Sequence, residues 1–175
     1  MKKILLIIIL MIYGIFISNI KSVKSESVII PKEAIRIRVL ANSNDEYDQK
    51  IKMKLSIELQ KKVQELLKDT KNIEEARIII KNNLDILNEY INKILKKEHY
   101  NNTYKIVYSG AYFPEKNYNG VVYEKGYYES LLVTLGQGKG KNWWCVLFPP
   151  LCLIESESNN IEYKLFVQEL LKKYF

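Results

Sequence analysis

AIRIRVLANSNDEYDQKIKMKLSIELQKKV, residues 34–63, changes its periodicity halfway along. From Ala34 to Ala41, Ile35, Ile37 and Val39 alternate with Arg36 and Arg38, which is the period of a strand with one apolar side. Asn42, Ser43, Asn44 and Asp45 then bring the short polar side chains that make turns and helix caps. Beyond them Ile51, Leu55, Leu59, Val63 and Leu66 recur at helical spacing, while Lys52, Lys54, Glu58, Lys61 and Lys62 occupy the other faces. An alternating strand followed at once by an amphipathic helix predicts helices laid on a sheet.

Downstream, a break over Asp69–Asn72 leads to a second helical pattern, with Asn72 as cap and Glu74 and Glu75 in the first turn, where the helix dipole favours negative charge. Its stripe is Ala76, Ile80, Leu84, Leu87, Ile91 and Ile94. The connection is short, so the two helices are expected to be antiparallel neighbours whose stripes belong to the core. Tyr104–Tyr112, Tyr127–Leu135 and Asn142–Phe148 are rich in β-branched and aromatic residues and are separated by Gly, Asn or Pro, the pattern of three strands. Ile161–Tyr174, with Leu165, Phe166, Leu170 and Tyr174, reads as a C-terminal helix. The order is strand, two antiparallel helices, a three-stranded β region and a C-terminal helix, an α+β domain. No repeat or low-complexity linker divides it, and about 150 residues suffice for one core.

Lys2 and Lys3 precede an apolar run from Ile4 to Ile17, ended by Ser18, Asn19 and Lys21. A basic start and a run shorter than a spanning helix predict a signal peptide over residues 1–25, or an uncleaved signal anchor, before an exported domain over residues 33–175. The formal charge of +7 falls to +3 when Lys2, Lys3, Lys21 and Lys24 leave with that segment. The remaining lysines alternate with glutamates along the helices, which argues for solvated faces and against a nucleic-acid partner. Membrane contact is expected only through the signal or anchor.

Catalytic groups are sparse. The single histidine, His99, follows the second helix among Lys96, Lys97 and Glu98, as an exposed helix end would. No serine has a nucleophile frame around it, and the aspartates Asp45, Asp48, Asp69 and Asp85 form no evident pair. Glu129, flanked by aromatics in a strand, is the best isolated candidate for a perturbed carboxylate, against the simpler reading of an outward strand residue. GQGKGK at 136–141 lacks phosphate-loop spacing, since Leu135 stands five before Gly140, and it lies between strands with no helix N-terminus. Its glycines are expected to make a hairpin bend, and Lys139 and Lys141 to be available to an acidic partner. Cys145 and Cys152 flank Pro149 and Pro150; with one histidine and no other cysteine no metal site is expected. An even cysteine count in an exported chain favours a Cys145–Cys152 disulfide, with buried thiols or a reactive cysteine as alternatives. Nothing in the inventory calls for a cofactor.

YFPEK at Tyr112–Lys116, GYYESLLVTLGQGKGKNWWCVLFPPLC at Gly126–Cys152 and IRIRVLANSNDEYDQKIK at Ile35–Lys52 resemble the stage II sporulation protein R family. The long, rare-residue run from Gly136 to Cys152 and the Asp48, Gln49, Lys52 pattern make the resemblance specific. Glu124 and Lys125 depart from the Pro and Ala that the family usually shows before Gly126. The resemblance implies a signalling protein made in the forespore and exported into the space between forespore and mother-cell membranes. There it triggers a membrane-embedded aspartic protease that cleaves pro-sigma-E in the mother cell. On this reading the chain is not an enzyme, and an aromatic patch of Trp143, Trp144, Phe148, Tyr112 and Phe113, with Tyr127 nearby and Arg36 and Arg38 beside it, meets the protease. Strand alternation allows only one of Trp143 and Trp144 to be exposed. The alternative is an extracytoplasmic cell-wall hydrolase or wall-binding module, which predicts a groove holding Glu129 beside a second carboxylate or Cys145 beside His99.

Overall fold

The computed structural model describes residues 28–118, 121–151, 168–169 and 171–174. The signal segment, Cys152 and most of the expected C-terminal helix lie outside the described residues; residues 168–169 and 171–174 are helical. Strands β1 (Val28–Ile29) and β2 (Ile35–Leu40) precede helices α1 (Glu46–Leu67), α2 (Ile73–Asn82) and α3 (Leu84–Lys97). Strands β3 (Tyr104–Phe113), β4 (Lys116–Tyr118), β5 (Val121–Tyr123), β6 (Gly126–Leu135) and β7 (Asn142–Phe148) follow. The molecule is α+β, with one four-stranded sheet ordered β3-β6-β2-β7 and one small sheet ordered β1-β5-β4.

The second helical pattern divides into α2 and α3 at Asn83, a correction to the single helix expected. The Asn83 side-chain amide donates to the Ile79 carbonyl at 2.8 Å, competing with the helix ladder for that acceptor, and Asn83 leaves helical geometry at φ −107°, ψ 14°. α3 runs antiparallel to α1. The Tyr47 hydroxyl, at the start of α1, donates to the Glu98 and His99 carbonyls past the end of α3, and Tyr90 of α3 donates to Glu58 midway along α1. Leu55, Leu59, Val63, Ala76, Ile80, Leu87 and Ile91 are fully buried against Ile35, Ile37, Val39, Leu131, Val133 and Leu135. Each large aliphatic side chain so buried contributes about 1.5–3 kcal/mol. The exposed Lys54–Glu98 pair contributes about 1 kcal/mol at most, so packing holds the helices to the sheet.

His99 is where α3 stops. It adopts φ 53° while its amide bonds the Lys96 carbonyl and the Tyr100 amide reaches back to Leu95, the paired bonds that close a helix with a left-handed residue. Tyr100, next in sequence, is 7% exposed and packs into the core.

Sequence order does not give strand pairing, and the four long strands form one sheet. β2 lies between β6, to which it is parallel, and β7, to which it is antiparallel, with Ile37 facing Leu131 on one side and Cys145 on the other. Residues 136–141 therefore do not form the expected hairpin; they arch over the end of β2 from one neighbour to the other. The amides of Gly136 and Gly138 bond the Thr103 and Leu135 carbonyls. Those of Lys139 and Gly140 bond the Asn42 and Ala41 carbonyls, and Gln137 and Lys141 bond the Asn42 and Asn44 side-chain oxygens. A Cβ at Gly140 would come 2.0 Å from the Ser43 carbonyl oxygen, and Gly136 and Gly138 have φ 52° and 64°, so the arch needs its glycines.

α2 is tied to β6 by a side-chain bridge. Arg77 Nε meets Glu129 Oε2 at 2.8 Å and Oε1 at 3.0 Å, and the Tyr108 hydroxyl donates to Oε2 at 2.7 Å. Burial opposes ionisation of Glu129, but the Arg77 and Tyr108 hydrogen bonds outweigh it and hold the carboxyl below its usual range. Burial first, and then the bond to Glu129, push the Tyr108 hydroxyl well above the ordinary range.

Gly140→Ala should lower stability by about 2–4 kcal/mol, whereas Gly110→Ala, with nothing within 4 Å of the added carbon, should change it by about 0.5 kcal/mol or less; urea denaturation of both measures the contrast. A carboxyl whose folded pKa lies below its unfolded value of about 4.3 adds stability above that value and loses it as pH falls through the folded pKa. Glu129→Gln should therefore melt below the parent at pH 7 and converge with it near the acid end, read as thermal midpoints across pH.

Candidate partner-binding surface

β7 sends its two tryptophans to opposite sides of the sheet. Trp143, opposite Val39, packs against the main core under the helices, and Trp144, opposite Arg38, packs against the cluster of Ile30, Ala34, Val121, Tyr123, Val146 and Leu151 between the two sheets. Both are half-buried. Phe148 is 1% exposed and stacks edge-on with Tyr174 at 4.9 Å, and Phe113 is fully buried. These two support a surface from within and do not form one. Tyr112 and Tyr127, paired across β3 and β6 with ring centroids 5.5 Å apart, are 48% and 79% exposed. The residues read as one aromatic patch thus occupy three places: the main core, the space between the sheets, and the exposed tyrosine pair.

Arg36 and Arg38 leave β2 on the side away from the helices, and their surroundings differ. Arg38 is half-buried and well supplied with oxygen: Nη1 donates to the Tyr112 carbonyl at 3.2 Å, and with the Asn142 amide turned to face it Oδ1 accepts from Nε at 3.0 Å and Nη2 at 3.3 Å. Arg36 is fully buried. Its guanidinium lies 3.5 Å from the Tyr128 ring centroid, with Phe113 at 5.0 Å, Trp144 at 5.5 Å and Tyr123 at 5.9 Å. Phe113 sits edge-on to Tyr128 and Trp144, and Tyr123 to Trp144, so the box is cross-braced. Burial lowers the pKa of Arg36 despite the neighbouring Tyr128 and Tyr123. A cation over a ring gains about 0.5–2 kcal/mol. Removing such a charge from water costs several kcal/mol, and each unmet donor about 1–3 kcal/mol more. Nε, Nη1 and Nη2 of Arg36 have no hydrogen-bond partner among the described residues, so the rings offset only part of that cost.

Tyr123 and Tyr128 escaped the sequence reading as site residues. Tyr128 shares its strand side with Ser130 and Leu132, the side that also carries Arg36 across the ladder, so parity could have found it. Tyr123 belongs to β5, three residues long and too short to read as a strand without its neighbours.

At the other end of β2 the motif residues form a polar lock. Asn42 Nδ2 donates to Asp48 Oδ2 at 2.7 Å, Gln49 Nε2 to the Ser43 carbonyl at 2.8 Å, and Lys52 Nζ to Gln49 Oε1 at 2.6 Å and the Lys141 carbonyl at 3.3 Å. Asp48 and Lys52 are each 5% exposed. Burial lowers the Lys52 pKa, and the Lys141 ammonium adds to the effect. The Lys139 and Lys141 side chains themselves are exposed.

Glu129 shares the Arg77 guanidinium with a second carboxylate, Glu74; the cation bonds both, and the lowered pKa of Glu129 suits an ion pair better than a general acid. The histidine does not meet the cysteine. His99 is exposed at the helix stop, whereas Cys145 is 4% exposed on the helix side of β7. Cys152 lies outside the described residues. Among the described residues no group of three metal-binding side chains occurs, and no helix is long and apolar enough to cross a membrane.

No solved structure matches this fold. A family model described as Stage II sporulation protein R matches residues 31–158, which includes β2, the helical layer, both sheets from β2 onward and the arch. Stage II sporulation protein R of Bacillus subtilis (strain 168) is 40% identical over 132 residues, 75% of this chain and 59% of that protein. The match thus spans less than two thirds of the relative's length. That protein is named for a stage of sporulation and not for a reaction. The arch and its lock, the Arg36 box and the two tryptophans all fall within the matched residues, and the chain belongs to the stage II sporulation protein R family.

Proposed function

We propose that this chain is a secreted signalling protein of endospore formation. It leaves the forespore by its N-terminal segment and, in the space between forespore and mother-cell membranes, activates a membrane-embedded aspartic protease that cleaves pro-sigma-E in the mother cell. Membership of the stage II sporulation protein R family is the observation that carries this reading. The geometry supports a ligand in preference to a hydrolase. Glu129 is committed to Arg77 and Tyr108, and His99 serves as a helix stop. The exposed Tyr112–Tyr127 pair, where the end of β3 meets the start of β6, is the surface we assign to the protease. Amphipathic rings held by a rigid sheet bring large contact area at little entropic cost. Binding activates by favouring the active arrangement of the protease, because a ligand shifts an equilibrium only through differential affinity.

A Cys145–Cys152 disulfide belongs to the same proposal. It would fasten the end of β7 in an oxidising compartment, where reduction cannot restore a loose end. Intact mass before and after reduction checks it: the oxidised chain should lie about two mass units below the reduced one, and equal masses would remove the bond from the proposal.

Co-expression with the protease and pro-sigma-E in a non-sporulating host tests the function directly. Cleavage should require this chain. Tyr112→Ala with Tyr127→Ala should reduce it at least tenfold with only a small drop in thermal midpoint, since Tyr127 is 79% and Tyr112 48% exposed. Full cleavage without this chain would reject the activator role, and full cleavage with the double variant would move the surface elsewhere.

A further inference from the structure

Arg36 and Arg38 stand two residues apart on one side of β2, and only Arg38 has oxygen acceptors for its fork. The Arg36 guanidinium carries five N–H donors in one plane. The rings around it meet its face and flanks but supply no acceptor, and its three nitrogens have no hydrogen-bond partner among the described residues. A buried cation with its faces stacked and its donor edge unmet is suited to a planar anion with two oxygens, and a carboxylate accepts such a fork bidentately. Phe113 and Tyr128 bracket the β4–β5 excursion, Tyr123 belongs to it, and Trp144 closes the fourth side. The excursion's sheet is slight: β1, β4 and β5 have two, three and three residues. Sheets of that size stand only by packing on something else. The cover over the guanidinium is therefore the weakest part of the β structure, while Tyr128, on the long strand β6, stays in place as the stacking platform.

We infer that the Arg36 box is a carboxylate-binding site, in which an acidic side chain of a protein partner displaces the Tyr123 edge of the small sheet and takes the in-plane donors of Arg36. The inference rests on the activator reading for the identity of the partner, and on the box alone for its chemistry. Aromatic walls suit a carboxylate on a methylene stem, which buries its stem against the rings as its oxygens reach the fork. Arg38, already satisfied, has no such capacity.

The test uses the full chain with Trp143→Phe, which leaves Trp144, at the wall of the box, as the one tryptophan reporter. Hexaglutamate should give a saturable change in Trp144 emission, hexaglutamine none. Arg36→Met should weaken hexaglutamate binding at least tenfold yet melt at or above the parent, because an apolar side chain of similar length removes an uncompensated buried charge. Arg36→Lys should bind weakly, keeping charge without the planar fork. In the co-expression assay Arg36→Met should lose cleavage at least tenfold. A parent with no saturable response, hexaglutamate binding within twofold in Arg36→Met, or a midpoint for that variant well below the parent overturns the site. If the parent itself drives no cleavage, the activator reading falls, and the peptide titration still decides whether the box binds carboxylates.

Discussion

The arch over β2 is the constraint on which the rest of the structure depends. Because β2 sits between β6 and β7, the chain leaving β6 must cross the end of β2 before β7 can begin. Six consecutive amides, Gly136 to Lys141, each find an acceptor in that crossing, two of them on the side chains of Asn42 and Asn44. Four of these acceptors lie on Ala41, Asn42 and Asn44, so the turn after β2 is what holds the arch against the end of that strand. The same turn starts α1, and Asp48, Gln49 and Lys52 on its first turns bond back to the turn and the arch. Strand order, the direction of the first helix and the register that places Trp143 and Trp144 are therefore one decision.

Much of this architecture was legible in the chain because it follows from periodicity. Ile35, Ile37 and Val39 alternate and are all fully buried, and the stripes of both helical patterns supply Leu55, Leu59, Val63, Ala76, Ile80, Leu87 and Ile91 to the core. What periodicity does not carry is the partner of each strand. The central place of β2 depends on contacts roughly a hundred residues away, between Asn42 or Asn44 and the arch. The break at Asn83 was hidden for another reason: the apolar stripe continues through it, and only the side-chain bond to Ile79 marks the interruption. The small sheet is built from runs too short to register as strands without their neighbours.

The candidate site was legible by residue type and not by arrangement. The aromatic residues between Tyr112 and Phe148 stand out in the sequence by type, but a second sheet over one side of the first turns outward positions into an interior. That is why alternation predicts one buried and one exposed tryptophan, while both are half-buried, each beside a different core. Arg36 shows the same effect more sharply. Its strand position marks it as a solvated arginine, and the small sheet and the end of β3 convert it into a caged one.

The two ends of β2 are thus built to opposite specifications. At Leu40 the backbone is held by amide bonds, glycines that admit no side chain, and a lysine buried with neutral acceptors. At Ile35 a lightly built sheet covers a charge that its surroundings satisfy only through ring faces. Local opening takes the path with the fewest buried contacts and bonds to lose. The small sheet opens at a lower cost than the arch, and opening it relieves a buried, unmet donor edge, whereas opening the arch gives up six hydrogen bonds. Anything that opens the structure therefore does so at least loss at the Ile35 end. The lock at the other end keeps β2, β7 and α1 in register while that happens, so a rearrangement around Arg36 leaves the main core intact.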